Sequence, residues 1–297
     1  MSRALDLHRI YLAFLPVLVG LLLVLLPDSP ALAQGCIPPP LGIEGWWDAD
    51  NVFDSVVCRN LTSSPSNGIL QNGVSLVPGQ VGLAFSFDGV NDDFVCDGSS
   101  YQYTDELTIE FWVRSTGPQL QTTVSLVTKE HGPDNTGWVI QGGGASGRMT
   151  FSVGTGTAYL GVTSITGVLD DRFHHLAAVF DSNLATDHIK IYVDGVLEAT
   201  STTSDLLAPN NRLIRVGSGL GGTSRFLRGL IDEFTIYGRA LSTQEIQEIV
   251  SAGCSGKCGA DHRGPRHERR CGHGDQWHGG GHGRAGIQPG HQSRVRF

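Results

Sequence analysis

Between Leu41 and Gly253 the apolar residues recur at every second position, in short runs broken by Gly, Asn, Asp and Pro. In "LTIEFWVR" (107–114), Leu107, Ile109, Phe111 and Val113 fall on one face of a strand and Thr108, Glu110, Trp112 and Arg114 on the other, the pattern of a half-buried strand. "HIKIYVDGVLEATST" (188–202) reads as a hairpin, with Asp194-Gly195 supplying the two positive-φ positions of a tight turn. "IEGWWDA", "LAFSFDG", "SLVTKE", "GWVIQGG", "RMTFSVG", "FHHLAAVFD" and "RLIRVGSG" are further strand candidates. Roughly a dozen short strands with no helix between them predict antiparallel pairing in a sandwich, not a βαβ sheet.

The period changes once. "GLIDEFTIYGRALSTQEIQEIVSAG" (229–253) begins as a strand and ends as a short helix. Ser242 and Glu245 have capping-box spacing, Leu241 and Ile246 that of a hydrophobic staple, and Gly253 is the stop. Ile246, Ile249 and Val250 give this helix one apolar stripe, and ten residues do not hold a helix in water alone. It is expected to lie on the sandwich as a lid over an end of the core.

Charge and composition divide the chain further. Residues 1–256 carry 13 Lys and Arg against 26 Asp and Glu, and residues 257–297 carry 8 against 3. An acidic body argues against nucleic acid as a partner, since phosphates need a basic face. At the N-terminus, Arg3, His8 and Arg9 precede the apolar run Ile10–Leu26 and the small-residue site Ala31-Leu32-Ala33, so residues 1–33 read as an export signal. Membrane contact follows only if this segment is left uncleaved. Residues 34–40 are a proline-containing linker. Residues 259–297 hold six of the eleven His, lack apolar periodicity, and read as a disordered tail or a frame-shifted continuation. Six cysteines in an exported chain point to disulfides, and "CSGKC" alone does not make a zinc site.

The motifs "GIEGWWDADNVFD" (42–54), "GQVGLAFSFDGVNDDFV" (79–95), "LTIEFWVR", "FHHLAAVFD", "IKIYVDGVLEAT" and "GLIDEFTIYGRALSTQEIQEI", in this order, resemble the laminin-G-like (LamG) jellyroll family. One departure is Phe173, where that family usually has Trp. The resemblance implies an all-β, concanavalin A-like jellyroll sandwich of two antiparallel sheets with one short C-terminal helix, over residues 41–258. It implies a structural calcium ion held by Asp54, the Gly68 carbonyl and Asp232, hard oxygen ligands of the kind Ca²⁺ needs. The alternative for Asp232 is a carboxylate accepting backbone hydrogen bonds from a neighbouring loop, and Asp88 and Asp92 read as turn formers. In this family the first and last strands pair, so Cys36 and Cys258, which flank the domain, are expected to clip its ends together. Cys58 and Cys96, both beside the N-terminal strands, are the expected second pair, with Cys254 and Cys271 left over.

Catalysis finds little support in these residues. Glycosidases of this fold carry alternating carboxylates on one strand, so that acid and nucleophile share a face. "IDEF" instead has adjacent acids, expected on opposite faces, and Glu106 and Glu110 lack an intervening partner. His174-His175 has no Ser or Cys motif beside it and reads as structural. Trp112, opposite the apolar face of its strand, is the ligand-face candidate among the tryptophans if it is exposed, the alternative being that a loop covers it. The expected function is a secreted, non-catalytic module binding an extracellular glycan or protein at the cell surface. The alternatives are a divergent glycoside hydrolase or its accessory domain, and a structural module of a larger adhesin.

Overall fold

The computed structural model describes residues 35–143, 146–219 and 221–259; the export segment, Cys271 and the tail from residue 260 lie outside them. Among the described residues the alternating pattern folds into seventeen strands. These are β1 (Ile43–Trp47), β2 (Val52–Phe53), β3 (Val57–Cys58), β4 (Gly68–Gln71), β5 (Ser75–Pro78), β6 (Leu83–Asp88), β7 (Asp93–Cys96), β8 (Glu106–Ser115) and β9 (Val124–Thr128). They continue with β10 (Trp138–Gly143), β11 (Arg148–Gly154), β12 (Tyr159–Gly167), β13 (His174–Asp181), β14 (Ile189–Val193), β15 (Val196–Ser201), β16 (Ile214–Val216) and β17 (Arg228–Tyr237). One helix, α1 (Thr243–Ala252), follows. No helix of the described residues is long and apolar enough to cross a membrane.

Two antiparallel sheets result. Sheet I runs β15-β14-β13-β8-β17-β6-β5 with β1 also paired to β17, and sheet II runs β12-β11-β10-β9-β16-β7-β4-β3-β2. Leu107, Ile109, Phe111 and Val113 of β8 pack with Ile140, Phe151 and Val216 of sheet II in one continuous core, as a jellyroll requires. The Asp194-Gly195 turn has both φ angles positive (50° and 79°), as its residue types demand.

One edge of β17 is shared end to end. Arg228–Ile231 pairs with β6 and Phe234–Tyr237 with β1. Between them the register on β8 slips, and Glu233 takes φ 57°. Ile231 and Phe234 both enter the core, so Asp232 and Glu233 are both left on the outer side of sheet I. The expectation that these adjacent acids point to opposite faces is therefore corrected by a β-bulge, whose extra residue re-aims a side chain.

The helix forms with the expected capping box, Glu245 N–H donating to Ser242 Oγ (3.3 Å) and Ser242 N–H to Glu245 Oε2 (2.9 Å). Ile246 and Ile249 lie on Ala177, Val179, Tyr192 and Tyr237. The helix thus covers the outer face of sheet I rather than an end of the core.

Cys36 and Cys258 are disulfide-bonded, with Cα atoms 5.0 Å apart, closing a separation of 222 residues. Beside them Ile37 N–H donates to Gly256 O (3.0 Å) and Cys258 N–H to Ile37 O (2.7 Å). Cys58 and Cys96 are buried free thiols, which corrects the expected second bridge. Both pair in register with Gly68, one from each side. Two strand spacings, about 10 Å, separate them, beyond the roughly 7 Å a disulfide spans. Cys254 is also disulfide-bonded.

Candidate ligand-binding face

Residues opposite one another in antiparallel strands share a face, and in sheet II this rule yields an outward row. Phe53 opposes Val57, Val57 opposes Ile69, Ile69 opposes Val95, Val95 opposes Arg215, and Arg215 opposes Thr128. The neighbouring row, Val52-Cys58-Gly68-Cys96-Ile214, points into the core. Phe53 is 46% exposed and Ile69 39%, while Val95 is buried. Phe53 and Ile69, with half-buried Val57 between them, make an apolar patch over β2–β4 that stops at Val95, and such a patch is a candidate surface for contact. The row ends at a cleft of about 440 Å³, lined by Thr128, Glu130, His131, Arg212, Leu213 and Arg215, within the size range of ligand pockets.

Most charges in this cleft are already matched. The Arg215 guanidinium donates to Asp93, which also accepts from Ser218 Oγ (2.8 Å). Burial holds Asp93 above the ordinary carboxylate range, against the opposing pull of Ser218 and Arg215. Arg225 pairs with Glu130 (3.1 Å) and also donates to Gln141, and His131 pairs with Asp134 (2.7 Å). Arg212 is exposed and makes no ion pair among the described residues. Gly222 (φ 83°) approaches Arg215 so closely that a Cβ there would lie 2.5 Å from Nη1.

Over β8, β13 and β17 the outer face of sheet I is closed. Under the Cys36–Cys258 strap, Lys257 Nζ donates to Glu110 Oε1 (2.8 Å) and lies 3.4 Å from Glu233 Oε2 and 5.3 Å from the Trp46 ring centroid. His175 Nε2 contacts Glu110 Oε2 (3.0 Å). Burial pushes the Glu110 carboxyl up, but Lys257 and His175 outweigh it and leave it at about 2. Glu233, buried and less well paired, is raised to about 7. Trp112 is only 7% exposed and packs edge-on against His175 at 5.1 Å, so the exposed ligand-stacking role expected for it is corrected. His174 bridges Asp194 (2.8 Å) and Asp170 (3.1 Å), and its hydrogen bond to Asp194 raises its pKa.

The residues expected to hold calcium lie in three settings. Asp54 (φ 51°) and Ser55 (φ 61°) form the exposed turn between β2 and β3, where Val56 N–H donates to Phe53 O (3.3 Å). Gly68 is in β4, where a Cβ would lie 2.0 Å from the Phe94 ring. Asp232 is fully buried, and its Oδ2 accepts from Val81 N–H (2.8 Å), the loop hydrogen bond weighed as the alternative. Its Oδ1 is buried with no hydrogen-bond donor. Burial and then the charges of Glu233, Asp48 and Asp50 raise its pKa well above the carboxylate range. Besides Glu233, the acids bearing on Asp232 are thus Asp48 and Asp50, on the turn before β2, and not Asp54. Among the described residues no three His, Cys, Asp or Glu side chains converge to hold a metal, so backbone oxygens would have to complete any such shell around Asp232 Oδ1.

Asp88 accepts from Val90 N–H (2.7 Å), and Asp92 from Asp88 N–H (2.9 Å), in keeping with their reading as turn formers. Sequence reasoning missed Lys257, Arg215 and Phe53. The alternation of "DDFVC" (92–96) and "RLIRV" (212–216) places Asp93 and Arg215 on outward faces, a usable signal, whereas no local pattern marks Lys257 as buried.

A profile of laminin G type, described as the concanavalin A-like lectin/glucanases superfamily, matches residues 88–247, more than half of the chain. The chain belongs to this superfamily. No curated protein sequence matches it. Among solved structures, the binding domain of Paraclostridial Mosquitocidal Protein 1 is similar at 17% identity and TM-score 0.56, over 71% of this chain and 52% of that one. Domain 4 of AbnA, a GH43 extracellular arabinanase from Geobacillus stearothermophilus, in complex with arabinotriose, is similar at 18% identity and TM-score 0.53, over 69% and 97%. The binding domain of botulinum neurotoxin DC, in complex with rat synaptotagmin II, is similar at 13% identity and TM-score 0.54, over 71% and 51%. The chain spans about half the length of the two toxin domains, and at these identities the likeness is one of fold.

Proposed function

We propose that this is a secreted, non-catalytic binding module that takes an extracellular glycan or protein on the outer face of sheet II. The observation carrying this reading is the contrast between the two outer faces. Sheet II presents an exposed apolar patch at Phe53 and Ile69 and, beyond buried Val95, a polar cleft, while the acids Glu110 and Glu233, which a hydrolase would need to expose, are sealed beneath Lys257. Two structures of similar fold were solved as complexes, one with arabinotriose and another with synaptotagmin II. A structural calcium ion at Asp232 belongs to the same proposal. The donor-free Oδ1 amid acids is what a hard cation would satisfy, and the ion would supply charge neutralisation there rather than chemistry.

Glycan-array binding of the full chain, with calcium and with EDTA, tests this, with product analysis on every glycan bound. The expected result is retention of intact glycans and loss of binding in Phe53→Ala and Arg215→Ala. Release of shorter saccharides would overturn the reading in favour of a divergent glycoside hydrolase.

A further inference from the structure

The chamber under the Cys36–Cys258 strap is built without the strap. Its walls come from four strands of sheet I: Trp46 of β1, Glu110 of β8, His175 of β13 and Glu233 of β17, all buried. We infer that this chamber is a binding site for a primary alkylammonium, free or on a lysine side chain, that Lys257 fills it as an internal ligand, and that reduction of Cys36–Cys258 opens it. The site lies on the sheet opposite the surface proposed above for glycan or protein, and it stands independently of that reading.

The walls fit an ammonium and little else. Lys257 Nζ lies 2.8 Å from Glu110 Oε1, 3.4 Å from Glu233 Oε2 and 5.3 Å from the Trp46 ring centroid, within cation–π reach. A nitrogen 2.8 Å from a carboxylate oxygen carries an N–H there, which rules out a quaternary ammonium. The acid is held by the sheet and not by the strap: Glu110 accepts from Tyr237 Oη (3.4 Å) and contacts His175 Nε2 (3.0 Å).

Lys257 satisfies the chamber only in part. Glu233 is 2% exposed, and its Oε2 accepts no hydrogen bond although the ammonium lies 3.4 Å away. The cause is the tether. Lys257 pairs with Ile37, the flanking Ile37 and Cys258 N–H groups are bonded across the strap, and Gly256 packs so tightly that a Cβ there would lie 2.6 Å from Val81 Cγ1. With its backbone fixed, the side chain reaches one acid well and the other poorly. An untethered ammonium has three N–H donors to share between the two carboxylates, and charge-assisted bonds are the strong ones.

The tether also keeps the chamber shut. A tethered group acts at an effective concentration in the millimolar range or above, so a dilute outside amine cannot displace it while the disulfide stands. Two equivalents of an external thiol reduce Cys36–Cys258 to two cysteine thiols and leave as their own disulfide. The strap is then held by its hydrogen bonds to Ile37 and by the contacts of Lys257, for which an amine competes.

Two measurements on the full chain, both in EDTA, test this. In Lys257→Ala, propylammonium chloride replaces the deleted atoms and should raise the melting temperature by at least about 3 °C at ten times its Kd, while propanol should not. The oxidised wild type should respond to neither. No greater response of Lys257→Ala to propylammonium than to propanol would overturn the site. The second measurement is hydrogen exchange at the Ile37 and Cys258 amides of the wild type. Thiol should speed exchange there, and propylammonium or a blocked lysine should then speed it further by competing with Lys257. A larger effect of the blocked lysine assigns the site to a partner's side chain, and a larger effect of propylammonium to a free amine. Thiol also opens the bond at Cys254, so Cys36→Ser with Cys258→Ser, which spares that bond, should reproduce the faster exchange. Exchange unchanged by thiol and in that variant would overturn the disulfide as the gate.

Discussion

Lys257 and Glu110, 147 residues apart in the chain, meet at 2.8 Å with both side chains almost wholly inaccessible. Lys257 belongs to the strap closed by Cys36–Cys258, and Glu110 lies in the central strand of the sheet beneath it. Removing one partner of a buried pair leaves an uncompensated charge, and here two carboxylates depend on one ammonium. Lys257→Met should therefore cost about 3–5 kcal/mol in urea unfolding. Adding Glu110→Gln should recover part of that loss. A cost below about 1 kcal/mol would show that water reaches the pair.

Acid should erode the same contact. Glu110 titrates at about 2 in the folded state against an ordinary 4.5, so the folded state holds its proton less tightly than the unfolded one. The stabilisation is present above about 4.5 and is lost as pH falls toward about 2. Unfolding followed across this window should lose stability in the wild type, and a Glu110→Gln variant should show a flatter profile.

The architecture was legible because it rests on local rules. Alternation exposed the strands, Asp194-Gly195 the hairpin, and Ser242 with Glu245 the helix start. What stayed hidden depends on contacts distant in sequence. The bulge at Asp232–Glu233 exists because β6 and β1 share one edge of β17, and no residue in "IDEF" announces that. Trp112 has the position of a ligand-face residue, but the strap and Lys257 cover that side of sheet I. Arg215 was readable as outward-facing, yet only its opposition to Val95 and Thr128 places it in the row. Asp54 was expected beside Asp232 from the family resemblance, but it lies on the exposed turn between β2 and β3, and the acids bearing on Asp232 are Glu233, Asp48 and Asp50.

The thiols offer a check on strand order. Cys58 and Cys96 should resist a thiol reagent in the native protein and react once it is unfolded without reductant, because burial removes them from solvent and pushes both thiols far above their ordinary range. Peptide mapping should find the label on these two residues. A Cys58–Cys96 crosslink in its place would mean that β4 does not lie between β3 and β7.

The strap itself should be a large contributor. Closing a separation of 222 residues restricts the unfolded chain, by about 5 kcal/mol in the chain-entropy description. Cys36→Ser with Cys258→Ser should lower urea stability on that scale. It should also reduce the cost of Lys257→Met, because a released strap no longer holds the ammonium against Glu110. Strict additivity of the two changes would show that the strap stays in place without its disulfide.

Asp232 tests the calcium proposal in stability rather than in binding. Without a cation its carboxylate is buried among acids, with one oxygen lacking a donor. A ligand that binds only the folded state raises stability in proportion to the logarithm of its concentration over Kd, about 2.7 kcal/mol at a hundredfold excess. Thermal melting of the full chain should therefore shift upward with millimolar calcium and return in EDTA. In Asp232→Asn the shift should vanish, while the amide still accepts from Val81 N–H and preserves the fold. In EDTA the same substitution should remove the loss of stability that ionising this buried carboxyl imposes as pH rises, since burial and neighbouring acids raise its pKa. A wild-type midpoint unmoved by calcium would leave Asp232 as a loop-bracing carboxylate alone.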